Sequence, residues 1–316
     1  MKRILWITLV VVLIGLLGLP IWLNQERHAL KPFEITSGGK IAKTALGFTH
    51  YQVYGREEDP LVVLVHGYSV PSYTWDKTVP YLIARGFRVL TFDLFGRGYS
   101  SREHNRYDRA LFVGQLNDLL FELNINEKVN LVGLSMGGAI VSAFSSEYPH
   151  KVNKLVLLAP FHQPIDIGPL KYPILGDYLA YSFVIPSMAE SQSDDFIEPD
   201  SYPLWNEKYQ NQMQYTGFRA ALLATARDYL QTDPMADFRA VDQFRLDSML
   251  IWGSEDNVFP VKNQEVVAKA LGKSNKSITI NNAGHALHYE SANKVNPLIA
   301  EFFLTPGTTN GAITDL

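Results

Sequence analysis

The sequence predicts an α/β fold: a mostly parallel central sheet covered by helices on both faces. Two observations predict it. From Phe48 onward, short apolar, β-branched runs recur near 51–54, 61–65, 88–92, 129–134, 154–158, 249–252 and 277–280, and each has the length and composition of a buried strand. Helix-like stretches at 81–85, 107–123, 136–148 and 263–271 separate them, and one at 295–303 closes the fold. That alternation is the signature of a parallel sheet built from β-α-β units.

The strand at 129–134 stops at Ser135, with Gly133 and Gly137 two residues to either side. A helix-like segment follows directly. A serine between strand and helix in a G-x-S-x-G pattern must sit on a sharp turn with strained backbone angles. Neighbours with side chains would clash there. The turn lifts the hydroxyl clear of the sheet and aims the first amides of the next helix at negative charge developing beside it. Ser135 is therefore the candidate nucleophile.

In this arrangement an acid and then a histidine follow the serine along the chain. The strand near 249–252 runs into Ser254-Glu255-Asp256-Asn257, a polar turn closed by Pro260. Asp256 lies just past the strand's carboxyl end, where parallel sheets build their sites. Its expected role is to hold an imidazole in one tautomer and stabilise the imidazolium. Glu255 is the competing acid, and a plain turn or capping aspartate is the alternative for Asp256. After the last strand, Gly284 precedes His285, on a loop that can swing over the sheet to Ser135 as general base. Of the other seven histidines, His66 reads as a buried structural residue, and His288 suggests a metal pair with His285 only superficially. No metal site and no cofactor are expected, since the chain has no cysteine and no helical His-Glu-x-x-His pattern. The strand at 61–65 ends at His66-Gly67-Tyr68. The loop there supplies the second oxyanion amide in such sites, so the backbone amides of Tyr68 and Met136 are the candidate oxyanion hole.

These pieces together, with Asp93-Leu94-Phe95-Gly96-Arg97-Gly98-Tyr99-Ser100, resemble the serine hydrolases of the α/β-hydrolase fold superfamily over residues 48 to 303. The resemblance implies Ser135, Asp256 and His285 as a catalytic triad. A serine nucleophile departs from the haloalkane dehalogenases and epoxide hydrolases, which use aspartate. Carbon–carbon bond hydrolases share the Ser-Met-Gly-Gly-Ala stretch but usually carry tryptophan after the catalytic histidine, where this chain has Ala286. Esterases and monoacylglycerol lipases fit best. Gly96-Arg97-Gly98 resembles part of a dinucleotide fingerprint, yet Ser101 breaks the pattern. Packing within its loop is the expectation for Arg97, ahead of substrate contact.

At 316 residues and 47% hydrophobic content, the chain can bury one large core. The net charge of −4 and the lack of a basic cluster argue against a nucleic-acid partner. Zero cysteines exclude disulfides, a thiol nucleophile and a lipoprotein anchor. Residues 4–23 are uncharged and strongly apolar, preceded by Lys2 and Arg3. Twenty residues at about 1.5 Å each match a hydrocarbon core of about 30 Å. A transmembrane anchor over 1–23 is expected, with the domain on the non-cytoplasmic side. Secretion after signal cleavage is the alternative. Asn275-Lys276-Ser277 fits a glycosylation sequon at a frequency near chance.

A polar linker is expected over 24–45, a hydrolase core over 46–159 and 246–304, and a flexible tail over 305–316. Between 160 and 245 eight prolines break the strand–helix rhythm, and the insertion is expected to form a helical cap above Ser135. Tyr172, Tyr178, Tyr181, Phe183, Met188, Trp205, Tyr209, Met213, Tyr215 and Phe218 could line an apolar acyl pocket there, though most must form the cap's own core. Residues 191–195 read as a mobile cap loop. The expected function is a membrane-anchored serine hydrolase of carboxylic esters with apolar acyl groups, acting on a small-molecule or lipid ester. The alternatives are a hydrolase with the same triad acting on an amide or a diketone carbon–carbon bond, and a non-catalytic binding protein on the same scaffold.

Overall fold

The computed structural model describes residues 2–31 and 38–306, with backbone alone at residue 2 and residues 11–14. A helix, α1 (Lys2–Trp22), precedes the sheet. The sheet has eight strands: β1 (Lys40–Thr44), β2 (Gly47–Tyr54), β3 (Leu61–Val65), β4 (Arg88–Phe92), β5 (Val129–Leu134), β6 (Val152–Leu158), β7 (Asp247–Gly253) and β8 (Asn275–Ile280). Their spatial order is β1-β2-β4-β3-β5-β6-β7-β8. The first two pairings, β1 with β2 and β2 with β4, are antiparallel, and every later one is parallel.

The central strands β3 and β5 are buried along their whole length. β3 reads as an unbroken Val/Leu run, and β5 as a Val/Leu run interrupted by Asn130 and Gly133, because helices cover both faces and no position faces water. The helices beside the sheet are α2 (Val79–Ala84), α3 (Arg109–Glu122) and α4 (Met136–Glu147). The Asp108 carboxylate caps α3 by accepting from the Leu111 amide at 3.0 Å, which satisfies a donor that has no partner inside the helix.

Strand β1 falls inside the stretch expected to be a polar linker. Its sequence, Lys-Ile-Ala-Lys-Thr, is half exposed, and a lysine-bearing edge strand carries no apolar alternation strong enough to announce it. Ahead of it, the amides of Arg27 and His28 both donate to the Gln214 carbonyl, and the Thr216 amide returns a bond to the His28 carbonyl. That part of the segment is pinned to the β6–β7 insertion. The tail expected over 305–316 lies outside the described residues from 307 on.

The insertion carries α5 (Leu175–Leu179), a π-helical turn over Ala180–Val184, α6 (Ile185–Ser191), a 3-10 turn over Gln192–Asp195, α7 (Leu204–Met213), α8 (Phe218–Asp228) and α9 (Met235–Gln243). Residues 191–195, expected as a loop, are thus the end of α6 and a helical turn. A separate apolar cluster, with Trp205, Tyr209, Met213, Phe218 and Leu222 buried, holds the insertion together. Its last helix departs from it. Helix α9 packs on α4 and on α10 (Gln264–Leu271), and Asp237 takes a two-pronged bond from Arg109 of α3 at 2.7 and 2.8 Å. The chain closes through α11 (Leu287–Glu290) and α12 (Ala292–Leu304).

Candidate active site

Ser135 occupies the turn between β5 and α4 at φ 53°, ψ −119°, a conformation that side chains rarely adopt. The turn closes only because its neighbours are small. A Cβ on Gly137 would lie 2.3 Å from the Val65 carbonyl oxygen, and one on Gly133 would lie 2.4 Å from the Gly137 carbonyl oxygen. The Ser135 amide donates to the Leu158 carbonyl at 2.9 Å, and its carbonyl accepts from the amides of Gly138 and Phe161. Both sides of the serine's backbone are therefore held, and the residue keeps partial exposure on an otherwise buried elbow.

Asp256 follows β7 and His285 follows β8, and the two meet. His285 Nδ1 stands 2.9 Å from Asp256 Oδ2. The other carboxylate oxygen accepts from the amides of Val258 and Phe259 at 2.9 and 2.8 Å, which fixes its orientation. Glu255 points elsewhere and is exposed, its carboxylate accepting only from Ser254 Oγ. Burial opposes a charge on His285, but the Asp256 carboxylate and its hydrogen bond, assisted by Asp195, outweigh burial and lift its pKa above the usual 6.5. A histidine poised that way is suited to take a proton and to carry it as an imidazolium.

The remaining candidates divide. Tyr68 stands beside the elbow, its hydroxyl donating to the Leu222 carbonyl at 2.8 Å, and Met136 is the first residue of α4, where amides lack intrahelical acceptors. His66 is fully buried. Its Nε2 accepts from the Leu94 amide at 2.8 Å, Nδ1 meets the Gly67 carbonyl at 2.9 Å, and burial pushes its pKa down to about 4. Neutral and fully engaged, it braces two loops. His288 is likewise buried, paired with Thr74 Oγ1 at 2.6 Å and pushed down to about 3. No cluster of metal-binding side chains occurs among the described residues.

Arg97 is completely buried, and among the described residues no carboxylate forms an ion pair with it. Its guanidinium donates to the Tyr68 carbonyl at 2.7 Å, the Phe95 carbonyl at 3.0 Å and Thr225 Oγ1 at 2.8 Å, while burial lowers its pKa to about 10. The residue thus packs within the protein and grips the loop that carries the Tyr68 amide, a role that its turn-like sequence does not reveal.

Ser135 and His285 open into one cavity of about 210 Å³, together with Gly67, Tyr68 and the insertion residues Gln192 and Asp195. Two polar groups here escaped the sequence reading. Gln192 is 5% exposed. Its Nε2 donates to the Met188 carbonyl while Oε1 has no partner. Asp195 is pushed up to about 6 by burial, an effect that His285 opposes. Tyr68, Met188 and Ser191 also border a second cavity of about 500 Å³, otherwise lined by Leu170, Ala180, Phe183, Val184, Ile185, Ser187, Leu223 and Ala226. Of the ten cap residues considered for the pocket, Phe183, Met188 and Trp205 reach one or other cavity. Tyr209, Met213 and Phe218 are buried in the insertion's own core.

The family model for the α/β hydrolase fold matches residues 60–292. The chain belongs to the α/β hydrolase fold family. It is 23% identical to the monoacylglycerol lipase ABHD6 of Mus musculus over 82% of this chain and 80% of that protein. A thermophilic esterase from Thermogutta terrifontis superposes with a TM-score of 0.72 at 20% identity, over 84% of this chain and 98% of that one. A bromoperoxidase from Bacillus anthracis gives 0.72 at 22% identity, over 84% and 99%. At these identities the two solved structures share the fold. They leave the substrate to be argued from the site.

Proposed function

We propose that this α/β hydrolase is a membrane-anchored serine hydrolase that cleaves carboxylic esters with apolar acyl groups. The observation that carries the reading is the convergence of Ser135, on a strained elbow, with a buried His285–Asp256 pair at one cavity. In the reaction, His285 takes the Ser135 proton as the hydroxyl attacks the ester carbonyl. The amides of Tyr68 and Met136 receive the oxyanion. His285 then returns the proton to the departing alcohol, and water releases the acid by the same route. The neighbouring cavity, lined largely by aliphatic and aromatic groups, suits the acyl chain. Helix α1, long and apolar enough to cross a membrane, is the anchor, and Lys2 and Arg3 favour a non-cytoplasmic catalytic domain.

The esterase and lipase among the similar proteins agree with this reading. Its test is hydrolysis of p-nitrophenyl esters of graded acyl length, together with labelling by a fluorophosphonate. Wild type should turn over the esters and label, and S135A should do neither while melting at the same temperature. Retained activity in S135A refutes the serine mechanism. Rates on anilides or vinylogous diketones exceeding those on esters would move the scissile bond. A wild-type protein that neither labels nor hydrolyses would be a binding protein.

A further inference from the structure

Helix α1 does not stand apart from the domain. Its last turns pack on the insertion: Tyr178 Oη donates to the Leu16 carbonyl at 3.1 Å, and Arg219 donates to the Pro20 carbonyl at 2.9 Å while pairing with Glu26. The two contacts differ in kind along the helix axis. The charged one lies near Trp22, at the end of the apolar stretch. The tyrosine one, at Leu16, lies four residues deeper than the one at Pro20, about 6 Å at 1.5 Å per residue. The segment carrying Tyr178 is thereby held alongside the apolar part of α1.

That same segment shows its apolar side chains to the outside. Tyr172, Ile174, Leu175, Phe183 and Val184 are all exposed, Ile174 at 84%. Ile174 also sits at φ 64°, ψ −62°, a conformation that a β-branched residue rarely adopts. Nothing in the protein's own packing rewards a strained isoleucine held out in water. Phe183 and Val184 also line the 500 Å³ cavity, which shares Tyr68, Met188 and Ser191 as lining with the Ser135 cavity.

We propose that the Tyr172–Val184 face of the cap is embedded in the membrane beside α1, and that it opens the apolar cavity to the lipid, so that an ester passes from the bilayer to Ser135 without crossing water. The inference rests on the anchored-hydrolase reading. Its depth agrees with the roughly 5–10 Å to which interfacial apolar faces sink, and the exposed cluster is the kind of surface that soluble monomers avoid.

The absence of native cysteine permits a direct test on the full chain reconstituted in phosphatidylcholine vesicles. Single variants I174C, F183C, T8C and F121C carry an environment-sensitive fluorophore, and nitroxide-labelled lipids serve as quencher. The labels at Ile174 and Phe183 should shift to the blue and be quenched as the one at Thr8 on α1 is. The label at the exposed Phe121 of α3 should stay in water. A quenched T8C with unquenched I174C and F183C overturns the inference and leaves the anchor standing. An unquenched T8C overturns both. Energy transfer between labelled copies that replaces lipid quenching identifies a second copy as the occupant and overturns it too. A double variant, I174S/L175S, should lower hydrolysis of a vesicle-borne long-chain ester about tenfold and leave that of a soluble short ester unchanged. Equal loss on both refutes the lipid route.

Discussion

Replacing Arg97 with methionine keeps most of the aliphatic bulk and removes a buried cation that has no ion-pair partner among the described residues. Three bonds disappear, to the Tyr68 carbonyl, the Phe95 carbonyl and Thr225 Oγ1. At about 1.5–3 kcal/mol for a hydrogen bond to a charged group, their gross worth is about 5–9 kcal/mol. Relief from burying an unpaired guanidinium offsets several kcal/mol of that. The expected net loss is about 2–4 kcal/mol, a large fraction of the stability of an ordinary domain. The kinetic effect is separate. In the proposed reaction Tyr68 offers its amide to the oxyanion, and Arg97 holds the carbonyl of the same residue, so R97M loosens the peptide plane next to the one that aims the donor. Full loss of such a donor costs about 10²–10³ in rate. Partial misalignment should cost about tenfold in kcat with little change in KM. Urea unfolding and p-nitrophenyl butyrate kinetics read both quantities below the unfolding range. An unchanged unfolding midpoint with unchanged kcat would refute the assigned role.

Further outcomes follow from the same geometry. In the proposed reaction His285 must be neutral to accept the proton, and because its pKa is raised, kcat/KM should fall as pH drops through a value above 6.5. In D195N, which removes a carboxylate that supports the imidazolium, this acid limb should move to lower pH, and a pH–rate profile decides. The raised histidine also contributes stability that is fully present below about pH 6.5 and lost as pH rises through its folded value. In D256N, loss of the oriented acceptor should lower kcat about 10⁴-fold, whereas E255Q should hydrolyse esters normally. Finally, G137A places a Cβ against two backbone carbonyls, those of Val65 and His66, which cannot yield as a side chain would. Its melting temperature should drop by well over ten degrees, or the protein should fail to accumulate folded.

The parts of the fold visible in the sequence are those whose signal is local. Strands such as β3 announce themselves because burial on both faces demands continuous apolar residues, and the elbow does so because its backbone demands glycine. Strand β1 was hidden because one of its edges faces water, which makes lysine acceptable within it. The helices of the insertion were hidden for a different reason. Their apolar residues pack on one another in a small cluster of short segments broken by proline, too brief to establish a period. Ser135, Asp256 and His285 could be proposed because each follows a recognisable strand. Gln192, Asp195 and the grip of Arg97 on Tyr68 could not. Asp195 joins the insertion to the loop that carries His285, and Arg97 joins one loop to another, across stretches that carry no shared pattern.

The backbone bonds around Ser135 also decide how this protein can be recombined. The serine's amide is held by Leu158 and its carbonyl by Phe161, residues at the junction where β6 hands over to the insertion. A chimera that exchanges the cap with a junction before Phe161 would replace a residue that holds the Ser135 backbone, even though the exchanged part lies outside the sheet. With the junction moved beyond Phe161, both bonds remain with the host scaffold. Substrate preference could then be transplanted with the cap while the elbow stays as it is.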